Sequence, residues 1–194
     1  SFASFGFCKA HAAAFALPTY QSAWLKVYYP AHFVAGLLTH DPGMYPKRLI
    51  LEEARRLCLP VLPLDVNHSR VEYVVEPVGA ERGIRLALAD VKGIASDELT
   101  RIVAGQPYAG LVDFWRRAAV SIDVAERLVL AGAFDELYGV GLPGPVAARG
   151  AVTRRDLMLA LADLAREARV DQRVNGRRAR GLGGGAYGDR KAVQ

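Results

Sequence analysis

"LALADVKGIASDELTRIVAG", residues 86–105, decides the fold, because it joins a short apolar segment to a capped helix through a glycine turn. The apolar segment reaches Gly93, and Ser96 then opens a helix as its N-cap. Acidic side chains in the first turn suit the positive end of that helix. The stretch predicts two short helical segments that meet at a tight corner.

A second stretch, "DVAERLVLAGAFDELYG" at residues 123–139, repeats this pattern. A helix reaches Gly132 and restarts at Asp135. Each stretch resembles a helix-hairpin-helix unit, in which backbone N–H groups of the hairpin hold a DNA phosphate without reading the bases. Each is also typical of an ordinary packing corner between helices. The candidate DNA-binding residues are Lys92, Gly93, Ile94, Ala95, Ser96, Gly132, Ala133 and Phe134.

The pattern outside these turns predicts a mainly α fold with one small β-hairpin. Pro30 and Pro46 suit the first turns of two helices, and Pro18 predicts a kink or restart in the helix between His11 and Tyr29. The alternating "RVEYVVEPV" and the following "GIRLALADV" predict the hairpin. Trp24, Tyr28 and Tyr29 are expected to be core and helix-packing aromatics. They are not expected to be base-stacking platforms.

The expected organisation has six parts, given by residue ranges. They are a helical region (1–66), a β-hairpin connector (67–87), the paired hairpin units (88–138), a Gly/Pro linker (139–152), a helix (153–169) and a disordered Gly/Arg-rich tail (170–194).

The net charge of +5 arises from the end of the chain. Residues 1–165 contain 17 basic and 17 acidic side chains, whereas residues 166–194 contain eight basic and three acidic ones. The tail contains few large apolar groups, so it is expected to be disordered and solvated, with phosphate attraction as the alternative. Because residues 1–165 have no net charge, their overall charge does not favour DNA binding.

Several kinds of site are not indicated. Cys8 and Cys58 lack ligand or disulfide-framework spacing, and His32, His40 and His68 have no acidic partners at ligand spacing. No metal site and no catalytic residue is therefore predicted. No apolar run approaches the roughly 20 residues that span a bilayer, and a reducing cytoplasm is the expected location. The chain begins without methionine and is expected to be an internal piece of a longer protein.

The order of segments resembles a known family over residues 4–138. "GFCKAHAAAFALPTYQSAWLKVYYPAHFVAGLLTHDPGMYPKRLILEEARRLCLPVLPLDVN", then "GIRLALADVKGI", then "ERLVLAGAFDEL" is similar to the late fingers and tandem helix-hairpin-helix regions of bacterial C-family DNA polymerases, the DNA polymerase III alpha subunits. "VTRRDLMLALADLAREAR" resembles a downstream helix of actinobacterial members, including the error-prone type. The replicative or error-prone subtype stays open.

The resemblance implies roles for Lys9 and His11 in contacting the incoming nucleotide or primer-template. Lys9 and His11 are two positions apart, so on a helix their side chains would differ by about 200° in direction. Lys9 is therefore expected in the entry loop and His11 in the first turn. The resemblance also implies duplex DNA and a deoxynucleoside triphosphate as partners. Mg²⁺ is expected in the palm of the parent enzyme, upstream of this chain. No clamp-binding segment is recognised after Leu137.

Three functions therefore compete. The first is a fragment of a DNA-directed DNA polymerase, in replication or error-prone repair synthesis, that is inactive alone because it lacks the palm carboxylates. The second is a stand-alone, non-catalytic helix-hairpin-helix DNA-binding protein. The third is a helical interaction protein that no longer binds DNA.

Overall fold

The computed structural model describes residues 9–41, 43–141 and 152–182, with side chains described up to residue 171. The elements are α1 (Lys9–Tyr28), α2 (Pro30–His40), α3 (Lys47–Arg56), β1 (Val61–Leu62), β2 (Val74–Val78), β3 (Glu81–Arg85), a 3₁₀ turn (Leu88–Asp90), α4 (Ser96–Gly105), α5 (Leu111–Ala118), α6 (Ile122–Leu130), α7 (Asp135–Tyr138) and α8 (Arg154–Leu182). The prediction of a mainly α fold with a small β-hairpin is confirmed.

A first core lies between α2, α3 and the sheet. Leu38 of α2, Ala54 of α3 and Ile84 of β3 are completely buried in it. Both helices begin next to a proline, as the sequence predicts: Pro30 is the first residue of α2, and Pro46 precedes α3. A proline is tolerated there because the first N–H groups of a helix have no acceptor within it.

The β-hairpin forms with a third strand that the sequence did not reveal. β2 and β3 pair antiparallel around Gly79 and Ala80, and β1 adds to the other edge of β3 as a parallel strand. The extended, proline-containing segment after α3 supplies β1. The strands are shorter than the alternating sequence predicts, since β2 begins at Val74 and the segment after β3 turns into the 3₁₀ turn.

Helix α1 departs from the expectations in two ways. It runs through Pro18 without restarting, so the loss of one backbone hydrogen bond does not end this alanine-rich helix. It also contains no buried residue. Trp24 and Tyr28 are 42% and 63% exposed, and Tyr29 is exposed as well, so these rings do not lie in the core. They pack on one another instead, with the Trp24 ring centroid 4.9 Å from that of Tyr28 and 5.5 Å from that of Tyr29.

The second core holds the region predicted as paired hairpin units. Phe114 of α5 contacts Tyr108 and Phe134 edge-on, with ring centroids 5.1 and 5.2 Å apart. Edge-to-face pairs of this kind add to the stabilisation from burial. Helix α8 closes the core by inserting Leu157 and Leu161. The two units, α5 between them and α8 therefore share one apolar interior.

Helix α8 is longer than predicted. It continues from Arg154 to Leu182, where the sequence analysis placed the end of the helix at residue 169. The extension, residues 170–182, contains four arginines, which have high helix propensity, and the helix runs through Gly176 and reaches Gly181 in spite of the low helix propensity of glycine. The expected linker at residues 139–152 lies mostly outside the described residues, as do residues 183–194 of the expected disordered tail.

Replacing Phe134 with alanine tests whether the second core holds the hairpin units together. Phe134 is fully buried against Phe114, so the cavity is expected to lower the free energy of unfolding by about 3–5 kcal/mol. Urea unfolding followed by circular dichroism measures it. Leu130→Ala, at an exposed neighbouring position, is the control and is expected to change stability by less than about 0.5 kcal/mol. Equal effects of the two substitutions would contradict this core.

Candidate nucleic-acid interface

The first hairpin, residues 91–95, presents its backbone to solvent. Lys92, Gly93 and Ala95 are exposed, and Ile94 is half-buried. Gly93 has a φ of +80°, a left-handed conformation that favours glycine. The N–H groups of Lys92 and Gly93 have no acceptor in the described part of the chain. The turn therefore offers two backbone donors to an external anion.

A buried carboxylate occupies another donor of this hairpin. Glu98, in the first turn of α4, is 8% exposed. It accepts hydrogen bonds from the N–H groups of Ala95 at 3.0 Å and Ser121 at 2.8 Å. Burial acts to raise the pKa of the Glu98 carboxyl, but these hydrogen bonds outweigh it and hold that pKa below its usual value. Ala95, a predicted phosphate-binding residue, therefore donates its N–H group within the chain.

The charges around the first hairpin leave two cations without a carboxylate. Asp90, which precedes the hairpin, pairs with Lys47 at 2.6 Å, and Asp97, which follows it, pairs with Arg101 at 2.7 Å. Within the described residues, Lys92 and Arg127 have no carboxylate within ion-pairing distance. The local balance therefore favours an anionic ligand although residues 1–165 have no net charge.

The second hairpin, residues 131–134, is turned inward. Gly132, Ala133 and Phe134 are buried, and Gly132 has a left-handed conformation with a φ of +87°. The N–H groups of Gly132 and Ala133 donate to carbonyls of α6, and the Ala133 carbonyl accepts the N–H group of Val66. Burial and internal hydrogen bonds of this kind are typical of a packing corner between helices, and a phosphate contact by these three residues stays a prediction.

An ion pair covers the outer side of the second hairpin. The Nε atom of Arg154 in α8 lies 2.9 Å from Oδ1 of Asp135. A β-carbon added at Gly132 would meet the side chains of both residues. The guanidinium of Arg154 at this turn is thus already paired with a carboxylate, unlike the cations at the first hairpin.

Lys9 and His11 lie in the first turn of α1, and both are exposed. Lys9 is the first helical residue and does not belong to an entry loop, in contrast to the expectation from the sequence. The His11 ring packs on Phe15, with centroids 4.6 Å apart. Since both residues are helical and separated by about 200°, they do not face one common phosphate.

The expectation that His68 has no acidic partner is wrong, since Asp65, three residues earlier, and Glu136 both lie near its ring. Its Nδ1 atom lies 3.0 Å from Oδ1 of Asp65 and 4.0 Å from Oε2 of Glu136. The same Asp65 oxygen accepts the backbone N–H groups of Asn67 and His68 at 2.7 and 2.8 Å. This cluster is the only grouping of three metal-ligand side chains in the described residues, and its buried carboxylate already stabilises a turn.

Comparison with known proteins places these features in a family. Residues 58–140 match the model of the helix-hairpin-helix motif. The chain is 39% identical over 172 residues to an error-prone DNA polymerase of Nocardia farcinica, which covers 86% of this chain. It is 42% identical over 142 residues to one of Corynebacterium glutamicum and 39% identical over 145 residues to one of Teredinibacter turnerae, which cover 73% and 71% of it. The chain is homologous to a segment of error-prone DNA polymerases.

This homology agrees with the resemblance to C-family polymerases, and the family model covers both hairpins. The chain spans 13–14% of the length of these polymerases. In the described residues, no helix has the length and apolar character needed to cross a membrane.

Sequence reasoning found the turns of this polymerase segment but not their surroundings. Arg127, whose Nη1 donates to the Lys92 carbonyl at 2.6 Å, is 35 residues away in the chain. The contact of Glu98 with Ser121 spans 23 residues. A local pattern contains no signal for either contact. The acidic first turn of α4 was recognised, but as a helix-dipole effect.

Replacing Glu98 with glutamine tests the two hydrogen bonds that its carboxylate accepts from the N–H groups of Ala95 and Ser121. The neutral amide retains the shape but weakens two charge-assisted hydrogen bonds, so the free energy of unfolding is expected to fall by about 1–3 kcal/mol at pH 7. Because the pKa is lower in the folded chain, the contribution of the ionised carboxyl is present above about pH 4.3 and is lost as the pH falls through the folded pKa. The difference from the parent should therefore shrink at acidic pH.

Urea unfolding at about pH 7 and about pH 3.5 measures the difference in free energy of unfolding between variant and parent on both sides of the usual glutamate pKa. Glu126→Gln, in α6, is the control and is expected to leave stability nearly unchanged at both pH values. If the stability difference between Glu98→Gln and its parent persists undiminished at acidic pH, the charge of Glu98 does not contribute to these hydrogen bonds.

Proposed function

We propose that this chain is a DNA-binding segment of an error-prone C-family DNA polymerase and that its first hairpin holds the phosphate backbone of duplex DNA. The observation that carries this proposal is the exposed left-handed turn at Gly93, with two backbone donors and two cations free of carboxylates. Contacts of this kind position DNA without specifying its sequence. Lys92, Gly93, Ile94 and Ser96 form the proposed contact surface.

The surface of α1 supports a role within a longer polymerase over a stand-alone protein. Apolar side chains are exposed along this helix, including Phe15, Leu17 and Val27. A helix that is apolar on several sides is normally buried in a large protein. The relatives are also about seven times longer than the segment they share with this chain. A stand-alone DNA-binding protein explains neither feature, and an interaction protein explains the exposed apolar helix but not the homology to a segment of much longer polymerases.

Lys9 and His11 remain proposed contacts for the incoming nucleotide or primer-template. Both side chains are exposed at the N-terminal end of α1, where helix N–H groups and the helix dipole favour an anion. Their opposite directions on the helix mean that they would serve different groups, such as two phosphates or a phosphate and a base.

Catalysis of nucleotidyl transfer is assigned to the parent enzyme and not to this chain. Two-metal catalysis needs carboxylates that bridge both ions. Among the described residues, the Asp65, His68 and Glu136 group does not fit, because one carboxylate is buried in a turn and Arg85 lies 4.0 Å from the other. Mg²⁺, deoxynucleoside triphosphates and a cytoplasmic location belong to the proposal for the whole polymerase.

The isolated 194-residue chain is expected to give no primer extension with Mg²⁺ and all four nucleotides. Its described residues supply positioning groups but no pair of carboxylates that could bridge two metal ions and stabilise the charge that develops during the reaction. A labelled primer-template resolved on a denaturing gel measures extension, and an active polymerase of the family is the positive control. Template-dependent incorporation by the purified chain would contradict the assignment.

Duplex binding by the first hairpin is tested by combining a truncation with a turn substitution. Deleting residues 170–194 removes basic side chains but keeps the buried Leu157, Leu161 and Ala165 of α8. The truncated chain is expected to bind duplexes of unrelated sequence weakly, with a flatter salt dependence. Adding Gly93→Val is expected to abolish this binding, because valine disfavours the left-handed turn.

Gly79→Val is the matched control, since Gly79 has a φ of +60° in the β2–β3 turn and no atom close to where its β-carbon would lie. It introduces comparable backbone strain away from the hairpins and is expected to leave duplex binding intact. Fluorescence anisotropy at two salt concentrations measures the affinities. If the truncated chain loses all binding, or Gly93→Val binds as well as its folded parent, the hairpin is only a packing corner.

A further inference from the structure

We infer that Arg127 of α6 is a phosphate-binding residue of the first hairpin, supplied by the second helix-hairpin-helix unit. This inference rests on the proposed function and extends it to a residue outside the hairpin sequence. The phosphate site then consists of Arg127, the side chain of Lys92 and the free N–H groups of Lys92 and Gly93.

The position of Arg127 is fixed against the turn. Its Nη1 donates to the Lys92 carbonyl at 2.6 Å, and a β-carbon added at Gly93 would meet the same guanidinium. The glycine therefore does two things: it allows the left-handed turn, and it leaves space for the arginine. No other described guanidinium is hydrogen-bonded to the backbone of this hairpin.

The guanidinium keeps donors for a ligand. Arginine has five N–H donors, and Arg127 makes one hydrogen bond in the described part of the chain. Its side chain is exposed, and no described carboxylate lies within ion-pairing distance of it. A planar fork with free donors beside free backbone N–H groups matches the geometry of a phosphate group.

The contrast with the second hairpin argues that this arrangement serves binding and not only turn support. There, Arg154 occupies the corresponding place over Gly132, but the carboxylate of Asp135 pairs with it and the hairpin backbone is buried. A guanidinium that only braces a turn can be neutralised in this way. At the first hairpin the cation is unpaired and the turn faces solvent.

Substitutions of Arg127 in the full chain test the inference through the salt dependence of duplex binding. Removing one phosphate contact lowers the slope of log K against log salt by about 0.9. Arg127→Ala is expected to weaken binding to a labelled duplex by roughly three- to tenfold at low salt and to reduce the slope by about that amount. Arg127→Lys keeps the charge but not the planar fork, so it should retain the slope with reduced affinity.

Arg82→Ala is the matched control, because it removes the same charge from an exposed position in β3, a strand that lies outside both hairpin units. It is expected to change neither the slope nor the affinity appreciably. Circular dichroism and urea unfolding verify that each variant is folded. A smaller slope of log K against log salt for Arg127→Ala, with an unchanged slope for Arg82→Ala, supports the phosphate contact.

An unchanged slope for folded Arg127→Ala would overturn the inference, and so would an equal loss for Arg82→Ala. The proposed function has its own readout in the same assay. If Gly93→Val weakens binding while Arg127→Ala leaves the slope unchanged, the hairpin binds DNA and Arg127 only supports the turn. If the parent chain does not bind duplex, the proposed function fails together with the inference.

Discussion

The paired hairpin units depend on one buried carboxylate. Glu98 lies at the start of α4 and is bonded to one N–H group of its own hairpin and to Ser121, which precedes α6. A buried charge is costly unless polar groups satisfy it, and here backbone donors do so without a cation. One turn later, Arg101 donates to the carbonyls of Ala118 and Ala119 at the end of α5. Helix α4 thus anchors the connection between the two units.

The two hairpins share a local sequence pattern, but one side chain makes the second turn buried while the first is exposed. The position two residues after the turn glycine is Ala95 in the first hairpin and Phe134 in the second. Phe134 gains far more from burial than alanine does, and it enters the core against Phe114. Its burial draws the second turn inward, while Ala95 stays exposed. A tandem motif in sequence therefore yields one outward turn and one structural corner.

Local sequence patterns predicted the features that local physics controls. The starts of α2 and α3 at prolines, the β-hairpin, and the turns at Gly93 and Gly132 all follow from the preferences of a few neighbouring residues. Features set by distant contacts were missed, including the parallel strand β1 and the approach of Glu136 to the Asp65–His68 pair. The exposed aromatic rings of α1 were misjudged for a related reason: burial depends on what surrounds a helix, and periodicity does not report it.

The local charge at the first hairpin also depends on contacts between residues that are distant in the chain. Residues 1–165 carry no net charge, and the acidic residues on both sides of the first hairpin are neutralised by partners of their own. Only the relative positions of side chains from α6 and the hairpin leave a cationic pair beside free N–H groups. A contact built in this way acts over a short range and reads no bases. Such a grip suits a polymerase segment that would hold many different sequences in succession, because it does not depend on which bases occupy the duplex.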